Sequence, residues 1–318
     1  MLVRNIGKAE VTIDTPAKVN LFLQVLNKRP DGYHNINSLF QAVSLCDSLR
    51  FCLSDKPDVS IDLRSDSELT LKANNLITET YRLLKQHFGL SKGLSVRLEK
   101  RIPVAAGLGG GSSNAAATIL ACDLLFHLNL SYPEMAALAM QIGSDVPFFF
   151  YGGQALVTGR GEKVVATDFP TEYKMVLACT KIAISTGAAY AALKMDLTRP
   201  KSPFRLVNIR TLDEFVESLL LSGNDFEEIQ LRTYPELGKI REFLLKQGAL
   251  MARMSGSGPT MFGIFRETSP VESVKPNERD WRLYTVVPIS LPRQDQLVTG
   301  RHRGDYGDLG EPAGQTEA

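Results

Sequence analysis

Little in this sequence suits a membrane, an oxidising compartment or a nucleic acid. No apolar run approaches the roughly 20 residues that a spanning helix requires, and residues 1–10 hold no apolar stretch of signal-peptide length. The four cysteines, Cys46, Cys52, Cys122 and Cys179, are scattered, with no Cys-x-x-Cys and no paired histidines beside them. They read as free thiols in a reducing compartment, which excludes a disulfide scaffold and a thiolate metal centre. An excess of one charge is also missing: 36 Lys and Arg against 35 Asp and Glu leave a formal net charge of +1. Such a surface has no field with which to gather nucleic acid or an anionic bilayer. The chain is therefore expected to be cytoplasmic and to act on a small-molecule substrate, with neither nucleic acid nor membrane as partner.

What remains is the composition of a globular protein, 44% hydrophobic and 22% charged. A length of 318 residues suits two domains of ordinary size. Residues 11–14 and 21–26 read as strands, separated by the short segment Thr15-Pro16-Ala17-Lys18-Val19-Asn20. Residues 75–87 form the first clear helix, with Asn75 as its cap and Gly89 just past its end. Residues 94–98 alternate as a strand, and 115–128 have the spacing of a buried helix. Ser131-x-x-Glu134 is a capping box for a helix that stops at Gly143. Residues 148–151 read as a fully apolar strand and 154–158 as another. Composition shifts at Asp168-Phe169-Pro170, which sets an expected boundary between a domain of residues 1–167 and one of 168–292. The second half carries an expected strand at 175–179, a helix over 226–246 and a hairpin-like pair around Ser255-Gly256-Ser257-Gly258-Pro259-Thr260. Residues 293–318, polar and glycine-containing, are expected to be a disordered tail.

The most informative stretch is Pro103-Val104-Ala105-Ala106-Gly107-Leu108-Gly109-Gly110-Gly111-Ser112-Ser113. Glycines let backbone N–H groups converge on one point and let a ligand approach with no Cβ in the way. A helix follows at once and adds its positive end, so the loop is a natural phosphate cradle. Ser112 and Ser113 offer hydroxyls to phosphate oxygens or to a bound Mg²⁺. No Gly-Lys-Ser/Thr closes the loop, so it is not a Walker A loop, and Gly-x-Gly-x-x-Gly is absent too.

This loop resembles the second motif of the GHMP kinases, the family of galactokinase, homoserine kinase, mevalonate kinase and phosphomevalonate kinase. Two further family motifs stand in the expected order, Pro16-Ala17-Lys18-Val19-Asn20-Leu21 before it and Ser255-Gly256-Ser257-Gly258-Pro259-Thr260 after it. Asn27-Lys28-Arg29-Pro30-Asp31-Gly32-Tyr33-His34 resembles the branch that phosphorylates the 2-hydroxyl of a cytidine-diphosphate-linked methylerythritol, on the non-mevalonate route to isoprenoids. The resemblance implies ATP as phosphoryl donor, with Mg²⁺ to neutralise its phosphates.

It also implies roles for single residues. Asp145, in Gly143-Ser144-Asp145-Val146-Pro147, matches the catalytic carboxylate, which orients an alcohol and accepts its proton. As a residue alone it also suits a turn. Lys18 matches the second catalytic position, an ammonium near the transferring charge. Asn20 resembles a substrate-orienting residue. Tyr33 is implied to stack on cytosine, with His34 bonding its polar edge and Tyr190 closing the other face; Tyr190 suits plain helix packing as well. Asn75 and Leu76 match the segment that holds adenine, with Lys100 contributing, although Asn75 equally serves as a helix cap.

For the fold, the resemblance implies an α/β architecture: an N-terminal domain like domain 2 of ribosomal protein S5, then a ferredoxin-like domain, with the site between them. It includes a left-handed βαβ crossover, an exception to the usual handedness. Residues 266–292 depart from the family pattern, with Pro270 and Pro276 where a longer helix is expected. Two other readings are a GHMP kinase acting on homoserine, mevalonate or a sugar, and a binding protein that kept the fold without the chemistry.

Overall fold

The computed structural model describes residues 1–65, 75–193, 209–271 and 280–289, which fold around two β-sheets. The first is built on β2 (Glu10–Lys28) and β3 (His34–Ser54), a long antiparallel pair flanked at one edge by β1 (Leu2–Ile6). β5 (Gly93–Lys100) pairs with the second half of β3, and β4 (Val59–Ser65) lies parallel beside β5. β6 (Gln154–Gly159) pairs with the first half of β3 and carries β7 (Lys163–Ala166) outside it. The crossover from β4 to β5 runs through α1 (Leu76–Phe88). Its ends are those legible in the sequence: Asn75 Oδ1 accepts from the Thr78 amide at 3.1 Å, and Gly89 closes the last turn at φ 66°.

The second sheet contains β8 (Tyr173–Cys179), β9 (Met251–Met254), β10 (Met261–Arg266) and β11 (Arg282–Val286), all antiparallel, in the order β11-β8-β10-β9. In chain order within that sheet this reads fourth, first, third, second, the arrangement of a ferredoxin-like unit. Between β8 and β9 the chain forms α4 (Thr186–Ala192), α5 (Leu212–Ser222), α6 (Glu227–Thr233) and α7 (Pro235–Lys246).

Several sequence expectations are corrected here. Residues 11–14 and 21–26 are not two strands, because β2 runs unbroken through Thr15 to Asn20. Pro16 and Lys18 make that stretch look like a loop. Pro16 is accommodated by an irregularity opposite β3 between Pro16 and Ala17, and Lys18 is buried because it has partners. The apolar run at 148–151 is a buried 3-10 helix, Pro147–Phe150, since four apolar residues carry no period that separates helix from strand. The helix expected over 226–246 is two, divided where Pro235 opens α7. The buried helix α2 (Gly110–Phe126) starts inside the glycine run rather than at Ala115, whereas α3 (Tyr132–Ile142) has the expected capping box and stop. Within 266–292 the described residues hold β11; Pro276 and the tail at 293–318 lie outside the described residues.

Three apolar clusters hold these parts together. One lies under the first sheet, where Val11, Phe51 and Leu98 meet Ala116 and Ile119 of α2. Another lies under the second sheet, around Phe243, Met261 and Phe265. The middle cluster draws on both: Ala17, Val19 and Leu21 of β2 and Leu108 of the glycine loop pack with Met175, Leu177, Phe215 and Phe262. Burying each large side chain is worth about 1.5–3 kcal/mol, so the seam between the sheets is a packed core. The site lies along this seam.

Candidate active site

Lys18 and Asn20 are two residues apart on β2, so their side chains leave the same face. Lys18 is 4% exposed, an expensive place for an ammonium unless it is paired. Its Nζ donates to Asn20 Oδ1 at 2.5 Å, lies 3.2 Å from Asp145 Oδ2 and sits 4.7 Å over the Phe40 ring. Asn20 Nδ2 donates to Ser38 Oγ at 3.0 Å, and the Ser38 hydroxyl donates to the Phe22 carbonyl at 2.5 Å. This chain fixes the amide orientation of Asn20 and presents its carbonyl to the lysine. Asp145 follows the Gly143 stop of α3, and its side chain is 35% exposed. One carboxylate oxygen faces Lys18 while the group stays open to an incoming molecule.

The glycine loop lies directly against this pair. The Lys18 amide donates to the Leu108 carbonyl at 2.9 Å. Gly109, at φ 68°, turns the chain into α2, and a Cβ there would stand 2.8 Å from Lys18 Cγ. A Cβ on Gly107, at φ 75°, would stand 2.9 Å from the carbonyl oxygens of Ser255 and Gly258. Ser255 Oγ accepts from the Asn20 amide at 3.1 Å and donates to the Gly107 carbonyl at 3.4 Å. Three segments thus meet at one point, with Ser255 lying 148 residues from Gly107 and 235 from Asn20 in the chain. The first turn of α2 has neither a side-chain cap nor an acidic residue. Its free N–H groups and positive end therefore remain open to an anion. Ser112 is half-buried at this opening, and the hydroxyl of Ser113 is buried with no hydrogen-bond partner. Val104 and Ala105 form the outer, exposed arm of the loop after the half-buried Pro103, while Ala106 and Leu108 anchor it in the core.

Lys100 is placed beneath the loop. Its Nζ donates to Asp47 Oδ2 at 2.7 Å and to the Ile102 carbonyl at 2.5 Å, and a Cβ on Gly110 would stand 3.0 Å from it. Burial pulls this ammonium below its ordinary range, and the Asp47 charge opposes that pull. Asp47 is wholly buried and also accepts from the Arg101 and Ile102 amides, both at 2.8 Å, and from Asn114 Nδ2 at 3.1 Å. Leu76 stands beside the loop, 3.4 Å from a Cβ on Gly111, and Asn75 acts as the α1 cap. An open cleft of about 440 Å³ adjoins Lys100, lined by Leu63, Arg64, Ser65, Glu99, Lys100 and Arg101.

The rings form a second wall. Asp31 Oδ1 accepts from the Tyr33 amide at 3.1 Å, which fixes the turn leading into β3. His34 stacks on Tyr190 with centroids 4.9 Å apart and planes at 19°, and Tyr190 meets Phe226 edge-on at 4.8 Å. Tyr33 is 53% exposed, with the Arg160 guanidinium 5.1 Å over its ring. Burial, and then the charge of Lys28, lowers the His34 pKa and favours the neutral imidazole, which offers one donor and one acceptor. Burial, and then the charge of Asp145, pushes the Tyr190 phenol up to about 12. His34 and Tyr190 are therefore in direct contact, whereas Tyr33 meets Arg160 instead. The sequence reading singled out none of Ser38, Asp47 and Phe226 as site residues. Their signal is pairing across the fold, which a linear motif does not carry.

A lysine–carboxylate pair, a glycine loop opening a helix and a ferredoxin-like second sheet together define a GHMP kinase. The family models agree: "GHMP kinases N terminal domain" matches residues 75–153 and "GHMP kinases C terminal" matches 205–277. The 4-diphosphocytidyl-2-C-methyl-D-erythritol kinase of Geobacillus kaustophilus (strain HTA426) is 38% identical over 264 residues, 83% of this chain and 91% of that protein. A crystal structure of a 4-(cytidine 5'-diphospho)-2C-methyl-D-erythritol kinase superposes with a TM-score of 0.68 at 29% identity, covering 87% of this chain and 98% of the other. Homoserine kinase from Cytophaga hutchinsonii shares the fold, with a TM-score of 0.68 at 18% identity over 92% of this chain and 99% of the other. The chain belongs to the 4-diphosphocytidyl-2-C-methyl-D-erythritol kinase family of GHMP kinases and is an ATP-dependent kinase. Among the described residues, no helix is long and apolar enough to cross a membrane.

Proposed function

We propose that this kinase transfers the terminal phosphoryl group of ATP to the 2-hydroxyl of 4-diphosphocytidyl-2-C-methyl-D-erythritol, a step toward isoprenoids that does not use mevalonate. The observation that carries this reading is the Lys18–Asp145 pair, 3.2 Å apart, facing the open end of α2. Asp145 orients the acceptor hydroxyl and takes its proton as the new oxygen–phosphorus bond forms and the bond to the departing ADP breaks. Lys18, held by Asn20, offsets negative charge growing beside the carboxylate. Asn20 also orients the acceptor. The phosphates lie in the loop from Pro103 to Ser113, and Lys100 acts from its floor by holding the Ile102 carbonyl. Asn75 and Leu76 border the adenine, with Leu76 standing beside the glycine loop.

Support for the cytidine end comes from the neutral His34, whose donor and acceptor suit a pyrimidine edge, and from the exposed face of Tyr33. Tyr190 acts as the ring behind His34, packed against it in the structure.

Mg²⁺ fits the donor set. The hydroxyls of Ser112 and Ser113 are hard oxygen ligands, and the Ser113 hydroxyl has no hydrogen-bond partner. Among the described residues no cluster of three His, Cys, Asp or Glu residues could hold a metal, so phosphate oxygens would supply most of its ligands. When bound, the ion neutralises phosphate charge. The reading also takes residues 1–167 and 168–292 as the two domains, with a cytoplasmic setting that suits four free cysteines.

The test is ADP release from ATP with a panel of acceptors: the cytidine-linked alcohol, its uridine form, homoserine and mevalonate. Turnover confined to the cytidine-linked alcohol is expected. Faster turnover of homoserine or mevalonate would overturn the assignment.

A further inference from the structure

Residues 224–227, Asn-Asp-Phe-Glu, lie outside every motif, yet their side chains hold three different neighbours of the site: the strand end at Met254 with Gly256, the β2 backbone, and the Tyr190 ring. Asn224 is buried, and its Nδ2 donates to the carbonyls of Met254 at 2.8 Å and Gly256 at 2.9 Å. Its Oδ1 accepts from the Phe226 amide at 2.9 Å, so the whole amide is engaged. The segment it grips rests on Lys18 and Asn20: a Cβ on Gly256 would stand 3.2 Å from Asn20 Oδ1 and 3.8 Å from Lys18 Nζ. Asp225 Oδ2 accepts from the Val25 amide at 2.6 Å, and the backbone exchanges bonds with Leu23 on either side, at 3.1 and 2.9 Å. This fastens the turn to β2, the strand that carries Lys18 and Asn20. Glu227 Oε1 accepts from the Met254 amide at 3.2 Å. Phe226, 1% exposed, backs the Tyr190 ring, which in turn backs His34.

We propose that this turn is a positioning element with two separable tasks. Asn224 sets the 255–260 segment against Lys18 and Asn20, and Phe226 sets the stacked Tyr190 and His34 rings. Neither residue touches the reacting atoms. The second task rests on the assignment of that ring wall to the cytidine.

The two tasks give different kinetics, which a merely structural turn would not. The experiment measures kcat, both KM values and Tm for Asn224→Ala, Phe226→Leu and Tyr190→Ala. Phe226→Leu keeps apolar bulk but loses the edge-on ring, so KM for the cytidine substrate should rise about two- to tenfold, the worth of one aromatic pair. Its kcat and its KM for ATP should hold. Asn224→Ala should lower kcat about ten- to a hundredfold, as misplaced catalytic groups do, with both KM values within about twofold. If Asn224→Ala does not fold, Asn224→Ser, polar but too short to span both carbonyls, reads the same task. Parallel changes of kcat and KM in both variants, or a change in Tm alone, would overturn the proposal. If Tyr190→Ala raises the cytidine KM while Phe226→Leu does not, the Phe226 task is wrong and the ring wall stands. If neither variant moves that KM, the ring wall itself is wrong, and the Phe226 task falls with it.

Discussion

Replacing Lys18 with methionine separates catalysis from stability at this site. The ammonium is 4% exposed and is held by Asn20 Oδ1 at 2.5 Å, Asp145 at 3.2 Å and the Phe40 ring at 4.7 Å. At an effective dielectric of about 20, a charge pair at this distance is worth about 5 kcal/mol before desolvation. Water on the open side of Asp145 screens part of that. Methionine forfeits the attraction and leaves Asn20 Oδ1 without its donor, a loss of about 1–3 kcal/mol. It also relieves a buried ammonium of a desolvation penalty of several kcal/mol. These terms are of similar size and opposite sign, so the folded state should change little, with Tm moving by no more than a few degrees. Turnover has no such compensation, because the charge that develops beside the carboxylate loses the ammonium placed against it. The expected loss in kcat is about 10²–10³-fold, the range for removing one electrostatic stabiliser. Steady-state ADP release and a thermal melt on the same preparation read both quantities. A kcat within about threefold of the unsubstituted enzyme would refute the catalytic role. A collapsed Tm would show that Lys18 serves the fold instead.

Asp145→Asn should fold normally and bind ATP, with turnover reduced by about two to four decades; a substrate-independent melt and an ATP titration separate the effects. Gly109→Ala forces a side chain into the left-handed region at φ 68° and 2.8 Å from Lys18 Cγ, so KM for ATP should rise and kcat should fall together. An unchanged KM for ATP would place the phosphates elsewhere. His34 binds its proton more weakly than the ordinary value of 6.5, so its acceptor nitrogen is retained down to that pH and lost below it. KM for the cytidine substrate should thus stay flat above pH 6.5 and climb in more acid buffer, and His34→Gln should abolish the climb.

Much of the site was legible because its chemistry is written in short segments. The run from Pro103 to Ser113 announces a glycine turn into a helix with an uncapped N-terminus, and Asn75 with Gly89 brackets α1 as capping physics requires. What stayed hidden depends on partners far away in the chain. Thr15 to Asn20 looks like a polar loop until Asn20, Asp145 and Phe40 surround Lys18; only then is a lysine at home in a buried strand. Asp47 looks like any turn carboxylate, yet it gathers Lys100, Asn114 and two amides beneath the glycine loop. The break between α6 and α7 was available in the sequence as Pro235, which starts a helix more readily than it sits within one. The contact of His34 with Tyr190 joins the start of β3 to the helix α4 and has no local trace.

The most direct test of the central claim is the chemical identity of the product. The enzyme is incubated with ATP, Mg²⁺ and 4-diphosphocytidyl-2-C-methyl-D-erythritol, and the mixture is followed by phosphorus and carbon NMR. The expected result is one new phosphomonoester signal coupled to carbon 2 of the methylerythritol, growing in step with ADP and absent with Asp145→Asn. ADP formed without that signal, or phosphate attached at another hydroxyl, would contradict it.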